Sequence, residues 1–172
     1  FVIGENGLDL ALEYGIPTEK IVKTGNWLGP LLVAAAINGV KKLLLFGYHG
    51  KLIKLSGGIF HTHHHLADGR IEILTSLAVR EGISFDLIEL ISKSTSVENA
   101  LLALELKNPG DVALIWSRMA NEIEIKSQRY INRYLSSSME IGAVLFDRKR
   151  QIRWAGFQGS KQIKSFGVIL KS

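Results

Sequence analysis

Three times within its first 58 residues the chain runs from a short apolar strand pattern through a glycine-bearing turn into an apolar helix pattern. Phe1-Val2-Ile3 leads through Gly4–Gly7 into Leu8–Tyr14. Lys20–Lys23 leads through Thr24–Asn26 into Trp27–Asn38. Lys42–Phe46 leads through Gly47–Lys51 into the segment that follows. Parallel strands need crossovers, and a helix is the usual one, so this repetition predicts a parallel sheet covered by helices. The Leu-rich third strand carries no polar face, as expected of a strand buried on both sides. Ligands of such sheets bind where strands end and helices begin. That rule points to Gly4–Gly7, Thr24–Asn26 and Gly47–Lys51.

The rest of the chain is expected to continue in this class. Leu66–Glu81 and Phe85–Ser92 have helical spacing, with Ser84 or Asp68 available as caps. Thr95-Ser-Val-Glu98 reads as a capping box before Ala100–Leu104. Asn108-Pro-Gly-Asp111 opens a long helix to about Leu135. Ile141–Phe146 is a strand, Asp147–Arg150 a turn, and Gln151–Gly156 and Phe166–Leu170 further strands. The expected architecture is α/β: one Rossmann-like three-layer domain over residues 1–172, with a mostly parallel sheet and a C-terminal antiparallel strand or hairpin. The opening Phe1-Val2-Ile3, in mid-strand and without Met, predicts that a longer protein extends before it.

Composition narrows the chemistry. There is no cysteine, which excludes disulfides, thiolate metal ligation and a cysteine nucleophile. No apolar run reaches membrane-spanning length, so no membrane partner is expected, and a cytoplasmic location fits. The net charge is +5, and every residue of excess sits late: from Arg148 onward there are seven Lys/Arg and no Asp/Glu. That tail is either a solvated face or a docking surface for an anion; a continuous nucleic-acid face is not apparent.

All five histidines fall between His49 and His65. The same segment holds Gly47, Gly50, Lys51, Lys54, Thr62, Asp68 and Arg70. Lys51 would project from a helix start, although the spacing is not that of a phosphate-binding P-loop. His61-Thr-His63-His64-His65 lacks the interleaved carboxylates of metallo-hydrolases, so no metal is assigned, and recognition of an anion by His63, Lys51, Lys54 and Arg70 is the preferred reading. Gly4-x-x-Gly7 after a strand would let amides approach a phosphate, carboxylate or ribose. The acid that usually holds a ribose at the second strand end is missing, and Asn26 is the nearest polar substitute.

On Thr24-Gly-Asn-Trp-Leu-Gly29, Leu44-Leu-Phe-Gly-x-x-Gly-Lys-Leu-Ile-Lys-Leu55, Gly58-Ile-Phe-x-Thr-His63 with Ala67-Asp68, and Glu140-Ile-Gly-Ala-Val144, the chain resembles the cobalt-precorrin-5B (C1)-methyltransferases of anaerobic cobalamin biosynthesis. The resemblance implies S-adenosylmethionine as methyl donor and an anionic cobalt tetrapyrrole as acceptor. It further implies a two-domain enzyme of which this chain is the second half; a homo-oligomer stays open, as does activity of this half alone. With those ligands in view, the strand-end chemistry is expected to put Gly4, Asn6, Gly7, Thr24, Gly25 and Asn26 at the donor. Gly47, His49, Gly50, Lys51, Lys54, Thr62 and Arg70 would serve the acceptor, and His63 and Asp68 the reaction. Many members are expected to carry His directly after the strand glycine, where this chain has Tyr48, and Asn-Thr-His-Ser where it has His61-Thr-His-His64. Two other classes remain possible on residues alone: a non-catalytic ligand-binding or assembly domain, and a His-rich metal-dependent hydrolase.

Overall fold

A computed structural model describes residues 1–170. Five strands form one sheet: β1 (Val2–Ile3), β2 (Lys23–Thr24), β3 (Lys42–Tyr48), β4 (Glu140–Phe146) and β5 (Ile152–Ala155), in the order β2-β1-β3-β4-β5. All pairings are parallel except β4 with β5. The expected architecture is therefore present, with the antiparallel hairpin at its end.

Each long central strand feeds two cores by alternation. Leu43 and Leu45 of β3, with Ile141, Ala143 and Leu145 of β4, enter the larger core. That face is covered by α2 (Leu28–Ile37), α3 (His49–Ser56), α4 (Arg70–Arg80), α5 (Phe85–Ser92), α6 (Val97–Lys107) and α7 (Pro109–Ile131). Phe46, Val144 and Phe146 point the other way, onto α1 (Gly4–Glu13) and α8 (Phe157–Lys164). β1 lies beside β2 on one side and β3 on the other, so the chain leaves β1 and β3 in opposite directions. This reversal opens a crevice above the C-terminal ends of the strands.

Several sequence expectations shift for physical reasons. Gly4–Gly7 is no free-standing turn but the first turn of α1, entered directly from Ile3. Lys20–Val22 is not a strand: Thr18–Lys20 makes a 3-10 turn, and only Lys23–Thr24 pairs with β1. α4 starts at Arg70 rather than Leu66, and Gly69 (φ 60°) makes the junction with no Asp68 side-chain cap. The residue capping α6 is Ser96, whose hydroxyl accepts from the Asn99 amide, while Glu98 turns toward His49.

The largest departure is at the C-terminus. Phe166–Leu170 is not a strand, and α8 precedes it. The start of α8 is capped from α7: Glu124 accepts from the amides of Gln158 (3.0 Å) and Gly159 (2.7 Å), and Asn121 accepts from that of Phe157 (2.9 Å). The same Glu124 accepts from Ala143 of β4 at 3.0 Å. Gly159 lets α8 lie against β4, since a Cβ there would collide with the Ala143 carbonyl oxygen. Val168 still reaches the smaller core, so burial rather than pairing accounts for the apolar Phe166–Leu170 pattern.

Candidate functional site

β3 passes into α3 without a loop. Tyr48 is extended (φ −60°, ψ 127°) and the helix begins at His49. Helical spacing then puts Gly50, Lys51 and Lys54 on one side of the junction. Gly50 has no side chain because the Tyr48 ring lies over it, 2.5 Å from where a Cβ would stand. Lys51 is half-buried; desolvation and then the charge of Lys54 lower its pKa, and no carboxylate offsets them.

Lys54 is only 2% exposed. Its ammonium donates to the carbonyl oxygens of Thr62 (3.2 Å) and Ala67 (2.6 Å), holding both ends of the histidine segment against α3. A second attachment runs to the end of β2. The Thr62 amide donates to the Asn26 carbonyl (2.9 Å), the Thr62 hydroxyl to Asn26 Oδ1 (3.2 Å), and the Gly29 amide to the Phe60 carbonyl (3.1 Å). His61 meanwhile packs edge-on against Trp27.

These attachments enclose a crevice of about 300 Å³. Its walls include Asn26, Gly50, Lys51, Lys54, Thr62, His63 and Arg70, so seven residues singled out in the sequence come together there. Tyr48 and His64 line it too and were not anticipated. The signal for Tyr48 was its place as the last residue of the best-formed strand. Arg70 is held by a two-point ion pair with Asp68, Nε to Oδ1 at 2.5 Å and a terminal nitrogen to Oδ2 at 2.8 Å. Desolvation and the neighbouring imidazoles keep His63 below the usual imidazole value and hence neutral at pH 7. The crevice thus offers two cations, neutral imidazole and amide or hydroxyl groups, a set suited to a carboxylate or phosphate.

Other expected residues lie elsewhere. Gly47 is inside β3, where a Cβ would meet Ile3 at 2.8 Å, so its role there is packing. His49 is 1% exposed and points away from solvent, its Nε2 2.6 Å from Glu98 Oε2 and its ring edge-on to Trp116. It reaches the crevice only through Tyr48, whose hydroxyl donates to the same Glu98 oxygen (3.2 Å) and accepts from Arg148 (3.3 Å). Asp68 faces a neighbouring cavity rather than the crevice.

Of the residues expected at the donor, the crevice includes Asn26 but not Gly4, Asn6, Gly7, Thr24 or Gly25. Thr24 is buried, its hydroxyl donating to the Val2 carbonyl. Gly4 and Gly25 have nothing within 4 Å of a Cβ position, and they flank neighbouring strand ends, where Ile3 pairs with Thr24. Ile3, the residue before α1, makes no side-chain cap to it. Open space borders these strand ends, and Asn6 Oδ1 there accepts from Arg150 (3.0 Å).

Fold and site together define a Rossmann-like α/β domain with a crevice lined by cationic side chains at its strand ends. Comparison with known proteins is specific: the family described as CbiD, C-terminal domain, matches residues 61–156. The chain belongs to that family. It is 83% identical over 171 residues to a protein of Prochlorococcus marinus strain NATL1A named cobalt-precorrin-5B C(1)-methyltransferase, and 82% identical to the like-named protein of strain NATL2A. A third so named, from Prochlorococcus marinus strain SARG, is 61% identical. Each alignment covers 99% of this chain and 45% of the relative, so the chain spans a little under half the length of these proteins. No solved structure matches it significantly. No helix among the described residues is long and apolar enough to cross a membrane.

Proposed function

We propose that this chain is the acceptor-holding half of an S-adenosylmethionine-dependent enzyme that methylates C1 of cobalt-precorrin-5B, working in the cytoplasm. The observation that carries the reading is the convergence of Lys51, His63, Arg70, Thr62 and Asn26 on one crevice, in a chain whose relatives bear that name. Ligand pockets run from about 300 Å³ upward, and a tetrapyrrole macrocycle exceeds the crevice. The crevice therefore takes acetate or propionate arms at one edge of the ring, while the rest lies against the other half of the protein.

S-adenosylmethionine would supply the methyl group as a sulfonium, open to in-line displacement by a ring carbon. Such a step depends on alignment more than on a strong acid or base. Lys51 and Arg70 fix the acceptor by charge-assisted hydrogen bonds to its carboxylates. His63 adds a neutral donor at the mouth. Asp68 acts through Arg70: its carboxyl, lowered first of all by the Arg70 hydrogen bond, is a poor proton acceptor at neutral pH and a good anchor. Gly4, Asn6, Gly7 and Gly25 border the space for the donor, and Asn26 stands between the two ligands.

A second reading has one observation in its favour. Since the crevice takes in only Asn26 of the donor residues, the methyl donor could bind chiefly to the other half, leaving this domain as a ligand holder. Labelled methyl transfer by the full-length protein tests both. Lys51→Ala and Arg70→Ala should each lower kcat/KM at least about tenfold, the value of one charge-assisted hydrogen bond. Unchanged kcat/KM in both would overturn the acceptor assignment. Calorimetric titration of S-adenosylhomocysteine separates the readings: affinity lost on Gly25→Trp places the donor here, and affinity retained supports the ligand-holder reading.

A further inference from the structure

The histidine segment crosses the mouth of the crevice as a tight turn, closed by the Leu66 amide donating to the His63 carbonyl at 3.2 Å. An extended strand would send neighbouring side chains to opposite faces, and a helix would fan them apart. The turn gathers three consecutive ones instead. Ring centroids lie 4.7 Å apart for His63 and His64, 4.9 Å for His63 and His65, and 4.1 Å for His64 and His65. One ring nitrogen from each lies within 4.8 Å of the others.

We propose that His63, His64 and His65 form a binding site for a borderline divalent metal ion of the Zn2+, Co2+, Ni2+ or Cu2+ class. Imidazole nitrogen suits these ions, whereas Mg2+ and Ca2+ need oxygen ligands that the turn does not offer. The nearest acid in sequence, Asp68, is engaged by Arg70. Metal–nitrogen bonds of about 2.0–2.1 Å bring three ligand atoms to roughly 3.3 Å from one another. His64 and His65 are exposed and His63 is half-buried, so the three reach that spacing from the observed one by rotation about their own torsions. Three nitrogens leave at least one coordination position open, as in catalytic rather than structural sites. His63 and His64 line the crevice, so the open position faces the space beside Lys51 and Arg70, where water or a carboxylate oxygen can complete the sphere. His61 is no part of the site, being packed against Trp27.

The site stands or falls apart from methyl transfer, because the ion alone is its probe. NiCl2, and separately ZnCl2, is titrated by calorimetry into the full-length protein, H64A/H65A and H61A, with circular dichroism to confirm the fold. The expected result is one equivalent that disappears in H64A/H65A and persists in H61A. Absence of that equivalent from the unaltered protein, its survival in H64A/H65A, or its loss in H61A would each overturn the proposal.

Discussion

The Lys54 ammonium donates to the Ala67 carbonyl oxygen at 2.6 Å from a side chain that is almost wholly buried. This lysine was expected to meet the substrate. It instead closes the loop that the substrate would meet, and Lys51, one helical turn earlier, is the lysine left, with Arg70, for an anion. Lys54→Met should lower stability by about 1–3 kcal/mol, because two carbonyls lose their charged donor. Amide exchange in residues 62–67 should rise with it. Lys51→Met should leave stability within about 0.5 kcal/mol. Urea unfolding of the two variants checks the contrast, and equal losses would contradict the division of roles.

His49 gives a pH prediction. Burial lowers its pKa beneath the ordinary 6.5, outweighing the opposing pull of Glu98. Between the folded and unfolded values the unfolded chain binds the extra proton, so this contribution is complete above about pH 6.5 and is lost as pH falls below it. His49→Gln should flatten the decline in urea midpoint between about pH 7.5 and 5.5. An identical decline in the variant would mean that other groups set the acid sensitivity.

Glu124 ties α7, β4 and α8 together by accepting from three amides. Glu124→Gln keeps the shape but removes the charge and one accepting oxygen. A loss of about 1.5–3 kcal/mol follows from weakening charge-assisted hydrogen bonds. Thermal unfolding reads the change, and an unaltered midpoint would contradict the anchoring role.

Two glycines should respond in opposite ways. Gly159→Ala drives a Cβ into the Ala143 backbone and should cost at least about 2 kcal/mol, at the level of core overpacking. Gly25→Ala has open space and should fold as the unaltered chain does. Denaturant midpoints of the pair decide this; equal stability would contradict the close contact of α8 with β4.

What the sequence revealed of this fold follows the range of the interactions. β3 and β4 were legible because apolar runs such as Leu43–Phe46 need no distant partner to be recognised. Among the residues that line the crevice, Asn26 and Lys51 were legible because ligands meet parallel sheets where strands end, His63 and Arg70 because they share one segment with all five histidines, and Thr62 through the family resemblance. α8 was not, since its cap is Glu124, 34 residues before Gln158. The exchange of His49 for Tyr48 came from a strand that runs two residues past the expected Phe46. With β3 continuing through Tyr48, His49 becomes the first residue of α3 and turns inward to Glu98 and Trp116. The separation of Gly4–Gly7 from the crevice was invisible for a similar reason: α1 starts at Gly4 with no loop to carry those residues toward Lys51.

The most direct test of the central claim is the affinity of the full-length protein for a cobalt tetrapyrrole with free carboxylate arms, followed by absorption titration. Lys51→Ala and Arg70→Ala are titrated beside it, each shown to be folded. The account predicts that either substitution weakens binding about tenfold or more and lowers its salt dependence, as expected when a cation that holds a carboxylate is removed. Affinity and salt dependence unchanged in both variants would contradict it and move the acceptor away from this crevice.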